Sequence, residues 1–153
     1  MNELNNYKEI NCEKFKRLHL SSQKVLDRLK EDIDLMASNS PDVKKYRREF
    51  RQSTIHIFEL SVNTLYKFLK DYLIRIEALE LNVFTLNSVF KECYTAKLIS
   101  QNDLELIITL ISDKNRTSEC YVESISKEIC AKIPDHYILM KKILDRIDNK
   151  KFN

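Results

Sequence analysis

Residues 55–73, I-H-I-F-E-L-S-V-N-T-L-Y-K-F-L-K-D-Y-L, decide the architecture of this chain. Ile55, Phe58, Val62, Leu65, Leu69 and Tyr72, continued by Ile76, follow one another in alternating steps of three and four. That rhythm keeps every apolar side chain on one helical face, the seam of a long helix packed nearly parallel to a neighbour. The helix is expected to run from about Val43 to Leu79, longer than average and suited to a bundle.

The same pattern recurs on both sides. Upstream, Phe15, Leu18, Val25, Leu26, Leu29, Ile33 and Met36 fall mostly on one face of a helix from about Lys8 to Ala37. S-N-S-P-D at 38–42 is a stop and restart signal. Downstream, a short helix is expected over Ser88 to Lys97, with Val89, Phe90, Cys93 and Tyr94 towards the core. Ser100 and Asp103 stand three residues apart, as in a capping box, and open a fourth helix carrying Leu104, Ile107, Ile108 and Ile111. A fifth starts near Tyr121 or Val122 and runs through Ile125, Ile129 and Ile133. Pro134 should bend or break it, because the proline ring clashes with the preceding turn. Tyr137, Met140, Leu144 and Ile147 then resume the stripe, and the tail 148–153 is expected to fray. The fold class expected is all-α: an antiparallel up-and-down four-helix bundle with an additional short helix, one domain over residues 1–153.

Composition narrows the chemistry. The 153 residues include no glycine, so no glycine-rich loop can bring backbone against a phosphate. The four cysteines, Cys12, Cys93, Cys120 and Cys130, form no C-x-x-C pair, and the three histidines complete no zinc pattern. Scattered reduced thiols fit a cytoplasmic protein, and no metal or cofactor is expected. The N-terminus is polar rather than signal-like, and no apolar run approaches a membrane span. A net charge of +3 is too mild to imply nucleic-acid binding by itself.

The densest polar chemistry lies at 109–121, T-L-I-S-D-K-N-R-T-S-E-C-Y, between the fourth and fifth helices. A bare helix connection needs only a few turn residues. This one gathers Lys114, Asn115, Thr117, Ser118, Glu119 and Tyr121 within eight positions. A second feature is K-K-Y-R-R-E-F-R at 44–51, in which Lys44, Arg48 and Arg51 should share one helical face. Cations near a helix N-terminus oppose its dipole, so local stability does not account for them. A solvated first turn, a phosphate-bearing ligand or an acidic partner would.

The spacing K-N-R-T-S-E-C-Y at 114–121 resembles the R-N-x-T-S-H-x-Y signature of the nucleotidyltransferase substrate-binding protein family, small helical proteins of the HEPN superfamily related to HepT-type toxins. Ile55–Leu73 is similar to that family's I-Q-x-F-E-x-x-x-E-L-x-W-K-x-L-K-x-Y-L helix. Ser88–Ile99, S-V-F-K-E-C-Y-T-A-K-L-I, is similar to its P-R-x-V-F-R-E-A-F-x-x-G-L-I segment. The closing stretch I-C-A-K-I-P-D-H-Y-I-L-M-K-K-I-L is also similar, so the resemblance covers roughly residues 45–147. It implies a homodimer and a partner, a separate minimal nucleotidyltransferase that supplies metal-binding carboxylates and nucleotide chemistry. In active HEPN proteins an Arg-x4-His-x-Tyr motif supports metal-independent RNA cleavage. Here Lys114 stands at the arginine position and Glu119 at the histidine position, while Tyr121, Asn115, Thr117 and Ser118 are kept.

Lysine can hold a phosphate only as a point charge, without the bidentate fork of arginine. Glutamate, with an ordinary pKa of about 4.3, is an anion at neutral pH and a poor proton donor. The substitutions therefore argue against an enzyme and favour a non-catalytic substrate-binding or regulatory module. The alternatives are an RNase toxin with an altered motif, neutralised by its partner, or a helical interaction protein whose ancestral site has decayed. The resemblance adds that Tyr121 could accept AMP from the partner, and that nucleotide or RNA could be bound. Glu59 and Lys67 match polar positions of the family helix, where Asn63 replaces a glutamate and Tyr66 a tryptophan. His56 is assigned no catalytic role. Lys97 stands where the family usually has glycine, so the position should avoid a left-handed cap or tolerate strain.

Overall fold

The computed structural model describes residues 2–75 and 85–151, with side-chain surroundings over 13–75 and 85–147. Its helices are α1 (Asn2–Ala37), α2 (Pro41–Lys45), α3 (Arg47–Arg75), α4 (Leu86–Thr95), α5 (Gln101–Arg116) and α6 (Glu123–Lys151), with a 3-10 turn at Thr117–Glu119. Among the described residues all regular structure is helical. No helix among them is long and apolar enough to cross a membrane.

The four long helices alternate in direction. Phe15 meets Phe68 and Tyr72 at ring-centroid distances of 5.1 and 6.3 Å, so the first half of α1 lies beside the end of α3. Asp103 at the start of α5 bonds Lys142 and Arg146 late in α6, and Arg116 at its end bonds Glu128 near the start of α6. Arg51 reaches Glu123, and Phe58 stacks on His136, so α3 and α6 run the same way. The expected up-and-down order thus follows from which ends touch. Phe58, Val62, Leu65, Leu69 and Tyr72 of the deciding stripe are all buried, with Leu26 and Leu29 of α1 and Ile129, Ile133, Met140 and Leu144 of α6.

Local chemistry sets most boundaries. Asn39 takes φ 53°, a left-handed turn that asparagine tolerates, and the Ser40 hydroxyl accepts the Val43 amide to start α2. Thr85 and Ser88 form a capping box that starts α4 two residues earlier than expected. The Ser100–Asp103 box is present at α5, with both reciprocal bonds at 3.0 and 3.1 Å.

Some expectations fail for identifiable reasons. The single helix over 43–79 is two pieces, broken at Tyr46 (φ −113°, ψ 34°); residues 76–79, with Ile76, lie outside the described residues. The Tyr46 amide still bonds Asp42, and its carbonyl accepts from Phe50, so the chain turns without forfeiting these bonds. Of the two outcomes expected at Pro134, a bend or a break, the break does not occur. An interior proline costs about 3 kcal/mol, less than the burial of Ile129, Ile133 and Met140 around it at ~1.5–3 kcal/mol each. Ile108 is 64% exposed, because Ile107 and Ile111 take the buried face a helical step away. Tyr94 beside buried Cys93 is likewise exposed. Lys97 takes the second of its two expected outcomes, a strained left-handed cap at φ 62°, with Leu98 donating to the Cys93 carbonyl at 2.9 Å. A lysine there carries ~1–2 kcal/mol of strain that glycine would avoid.

Candidate functional site

The polar junction forms because α5 ends in residues whose side chains can satisfy its unpaired carbonyls. The Thr117 hydroxyl donates to the Lys114 carbonyl at 2.7 Å and the Ser118 hydroxyl to the Asn115 carbonyl at 3.3 Å. Cys120 and Val122 amides continue the turn through Thr117 and Glu119 carbonyls. Gln52 of α3 clamps it by donating to the Cys120 carbonyl at 2.9 Å. Thr117 and Ser118 thus act on the backbone in this state. Lys114 is half-buried, while Asn115 and Glu119 are exposed. Tyr121 is 82% exposed at the tip.

Beneath this surface lies a network that the motif positions did not reveal. Asp113 and His136 are both buried, with His136 Nε2 2.7 Å from Asp113 Oδ2. The imidazole stacks on Phe58 at 5.3 Å and 18°. The other Asp113 oxygen faces Lys132 at 3.5 Å and Arg116 at 3.9 Å. Arg116 forks onto Glu128 with bonds of 2.9 and 3.1 Å. That pairing lowers the Glu128 carboxyl below its ordinary range and raises the guanidinium above its own. Arg116 is therefore committed to Glu128 rather than to Glu119.

The structure gathers some expected residues and separates others. Glu59 is half-buried on α3 and lies near Cys120, whose thiol is pushed up first by burial and then by this carboxylate. Lys67 lies eight residues further along α3, about 12 Å at the helical rise, and borders a different groove with Lys14, Lys70 and Asp71. Lys44, Arg48 and Arg51 do not share a helical face: the Tyr46 break separates Lys44, and Arg51 turns inward against Glu123. His56 is exposed. Cys93 is pushed up to about 12 by burial, reinforced by Glu92, and burial also raises Cys130, so neither is a poised thiolate. Among the described residues no cluster of three His, Cys, Asp or Glu side chains could hold a metal.

His136 and Asp113 carried one readable signal. His136 stands three residues after Ile133 and four before Met140, inside the apolar stripe, where a polar residue needs a buried partner. The partner is 23 positions away, so periodicity cannot name it.

Comparison with known proteins places this geometry. The crystal structure of a Thermus thermophilus protein is similar at a TM-score of 0.70 and 26% identity, covering 82% of this chain and 97% of that one. No curated protein matches the chain. The family model described as nucleotidyltransferase substrate binding protein like matches residues 16–149, spanning the bundle from α1 to α6 and including the whole junction. The chain belongs to this nucleotidyltransferase substrate-binding-protein-like family.

Proposed function

We propose that this chain is a non-catalytic substrate-binding or regulatory partner of a separate minimal nucleotidyltransferase, and that it works in the cytoplasm as a homodimer. The observation that carries the reading is the fate of the junction's proton-transfer groups. The histidine near it, His136, is 4% exposed and tied to Asp113 at 2.7 Å. The motif position that needs a histidine presents the exposed Glu119 instead. What remains for a partner is a surface of Lys114, Asn115 and Tyr121, with Glu59 alongside. Exposed Leu106, Ile108 and Ile138 offer apolar area for a second copy. Lys67 would contribute from its separate groove.

The test is the partner's nucleotidyl transfer with and without this chain. The proposal expects the chain to change the transferase's substrate dependence and to leave RNA intact on its own. RNA cleavage by the folded protein, lost in Glu119→Ala, would instead support the toxin-like reading.

The exposure of Tyr121 favours a second role beside the first. Its phenolic oxygen would attack the α-phosphorus of ATP held by the partner, pyrophosphate would leave, and the proton would pass to a base on the partner. An AMP adduct that disappears in Tyr121→Phe would support this, whereas an adduct elsewhere or none would not.

A further inference from the structure

A cavity of about 390 Å³ opens at the end of the bundle where α1 finishes and α3 and α6 begin. Arg47 and Arg51 of α3 and Lys127 of α6 line it, together with apolar Met36, Ala131 and Pro134. Arg51 is 6% exposed. Its Nη2 reaches Glu123 at 3.4 Å, and its buried Nε has no hydrogen-bond partner among the described residues. Buried polar groups are normally satisfied, and a desolvated cation more so. Glu123 only partly offsets this buried charge: its carboxylate is 67% exposed and shared with Lys127 at 3.3 Å. Three cations thus face one cavity with a single carboxylate among them. The depression is open to solvent rather than enclosed, and its mixed rim of cations and apolar side chains suits a ligand with one anionic and one flat apolar part.

We infer that this cavity binds a small organic phosphate of the nucleoside monophosphate class, with the phosphate taken by Arg47, Arg51 and Lys127 and the base laid against Met36, Ala131 and Pro134. Guanidinium groups match phosphate geometry and supply charge-assisted bonds. Glu123 competes for the same cations and is displaced when the ligand enters. The site uses neither Lys114 nor Tyr121, and it does not rest on the partner reading.

The test titrates AMP and inorganic phosphate separately into the full chain at low salt, followed by calorimetry and by amide NMR shifts. AMP should bind roughly tenfold more tightly than inorganic phosphate, since only AMP uses the apolar wall. The Arg47→Ala/Lys127→Ala variant, whose side chains are exposed, should weaken AMP about tenfold or more without loss of helicity. Glu123→Gln should tighten it roughly threefold or more. Arg51→Met probes the buried cation directly, and the surface double variant decides the matter if Arg51→Met does not fold. The inference is overturned by an absence of saturable AMP binding at millimolar concentration, by inorganic phosphate binding as well as AMP, or by variants that bind as wild type. Preference for an aspartate-rich peptide over AMP would also overturn it, assigning the cations to an acidic protein surface.

Discussion

Replacing Asp103 with asparagine removes one buried charge and keeps the shape of the helix cap. Asp103 is buried, accepts the Ser100 amide at 3.0 Å, and receives Lys142 at 2.9 Å and Arg146 at 2.8 Å. Arg146 also donates to the Leu98 carbonyl, so this carboxylate ties the α4–α5 connection to α6. Asparagine can still accept the Ser100 amide. The half-exposed Lys142 pair is worth ~0.2–1 kcal/mol, and the Arg146 bond to a buried charge takes the lower end of ~1.5–3 kcal/mol because the arginine is itself partly exposed. The expected loss is about 2 kcal/mol, or roughly 4–8 °C in Tm for a chain of this size. Its pH dependence has a definite sign. Burial alone would raise the Asp103 pKa, but hydrogen bonds from Ser100, Lys142 and Arg146 outweigh it and hold the carboxyl well below the ordinary range. In the unfolded chain it titrates near its ordinary value of about 3.9, so the unfolded state binds more protons below that pH. The stabilisation is therefore complete above about pH 5 and is lost as pH falls through 4 towards the folded value. Urea unfolding of wild type and Asp103→Asn, followed by helical circular dichroism from pH 7 to pH 3, measures the gap directly. A gap near 2 kcal/mol at pH 7 that narrows below pH 4 is expected; a gap under ~0.5 kcal/mol at pH 7, within surface-substitution noise, or one that widens in acid, refutes the reasoning.

Other substitutions test separate parts of the account. Asp113→Ala leaves His136 buried without its 2.7 Å partner and should cost about 3 kcal/mol, seen as a lower urea midpoint; an unchanged midpoint would mean the network is idle. Lys97→Gly relieves a left-handed lysine and should stabilise by up to about 1 kcal/mol, the strain saved being partly offset by unfolded-state entropy; a lower Tm would contradict that. Tyr121→Phe should leave stability within ~0.5 kcal/mol while abolishing any AMP adduct, and a large loss of stability would show the phenol is structural.

What could be read from the sequence were features whose cause is local. The 3–4 stripe of α3, the Ser100–Asp103 box and the Ser40 restart each depend on residues within one or two turns, and each appears in the structure. The misreadings come from contests between local preference and packing. Pro134 bends or breaks a helix by its own chemistry, and here the buried residues around it carry α6 through without a break. Tyr46 breaks a run with no glycine or proline at the break, so composition offers no warning. At the site, spacing placed Thr117, Ser118 and Tyr121 within one polar junction between two helices, and the structure puts Thr117 and Ser118 on a 3-10 turn. Spacing could not show that the two hydroxyls bond backbone while the phenol stays outside. The Asp113–His136 pair and the Arg47–Arg51–Lys127 cavity each join helices far apart in the chain, and only the fold brings them together.

The partner claim is tested most directly by co-expressing this chain with a minimal nucleotidyltransferase from the same genome and measuring whether the two elute as one complex in size-exclusion chromatography with light scattering. The account predicts a stable complex that weakens when Lys114 and Asn115 are both changed to alanine, with the fold of each partner intact. A folded chain that elutes separately from the transferase at micromolar concentration, and leaves its substrate dependence unchanged, would contradict it.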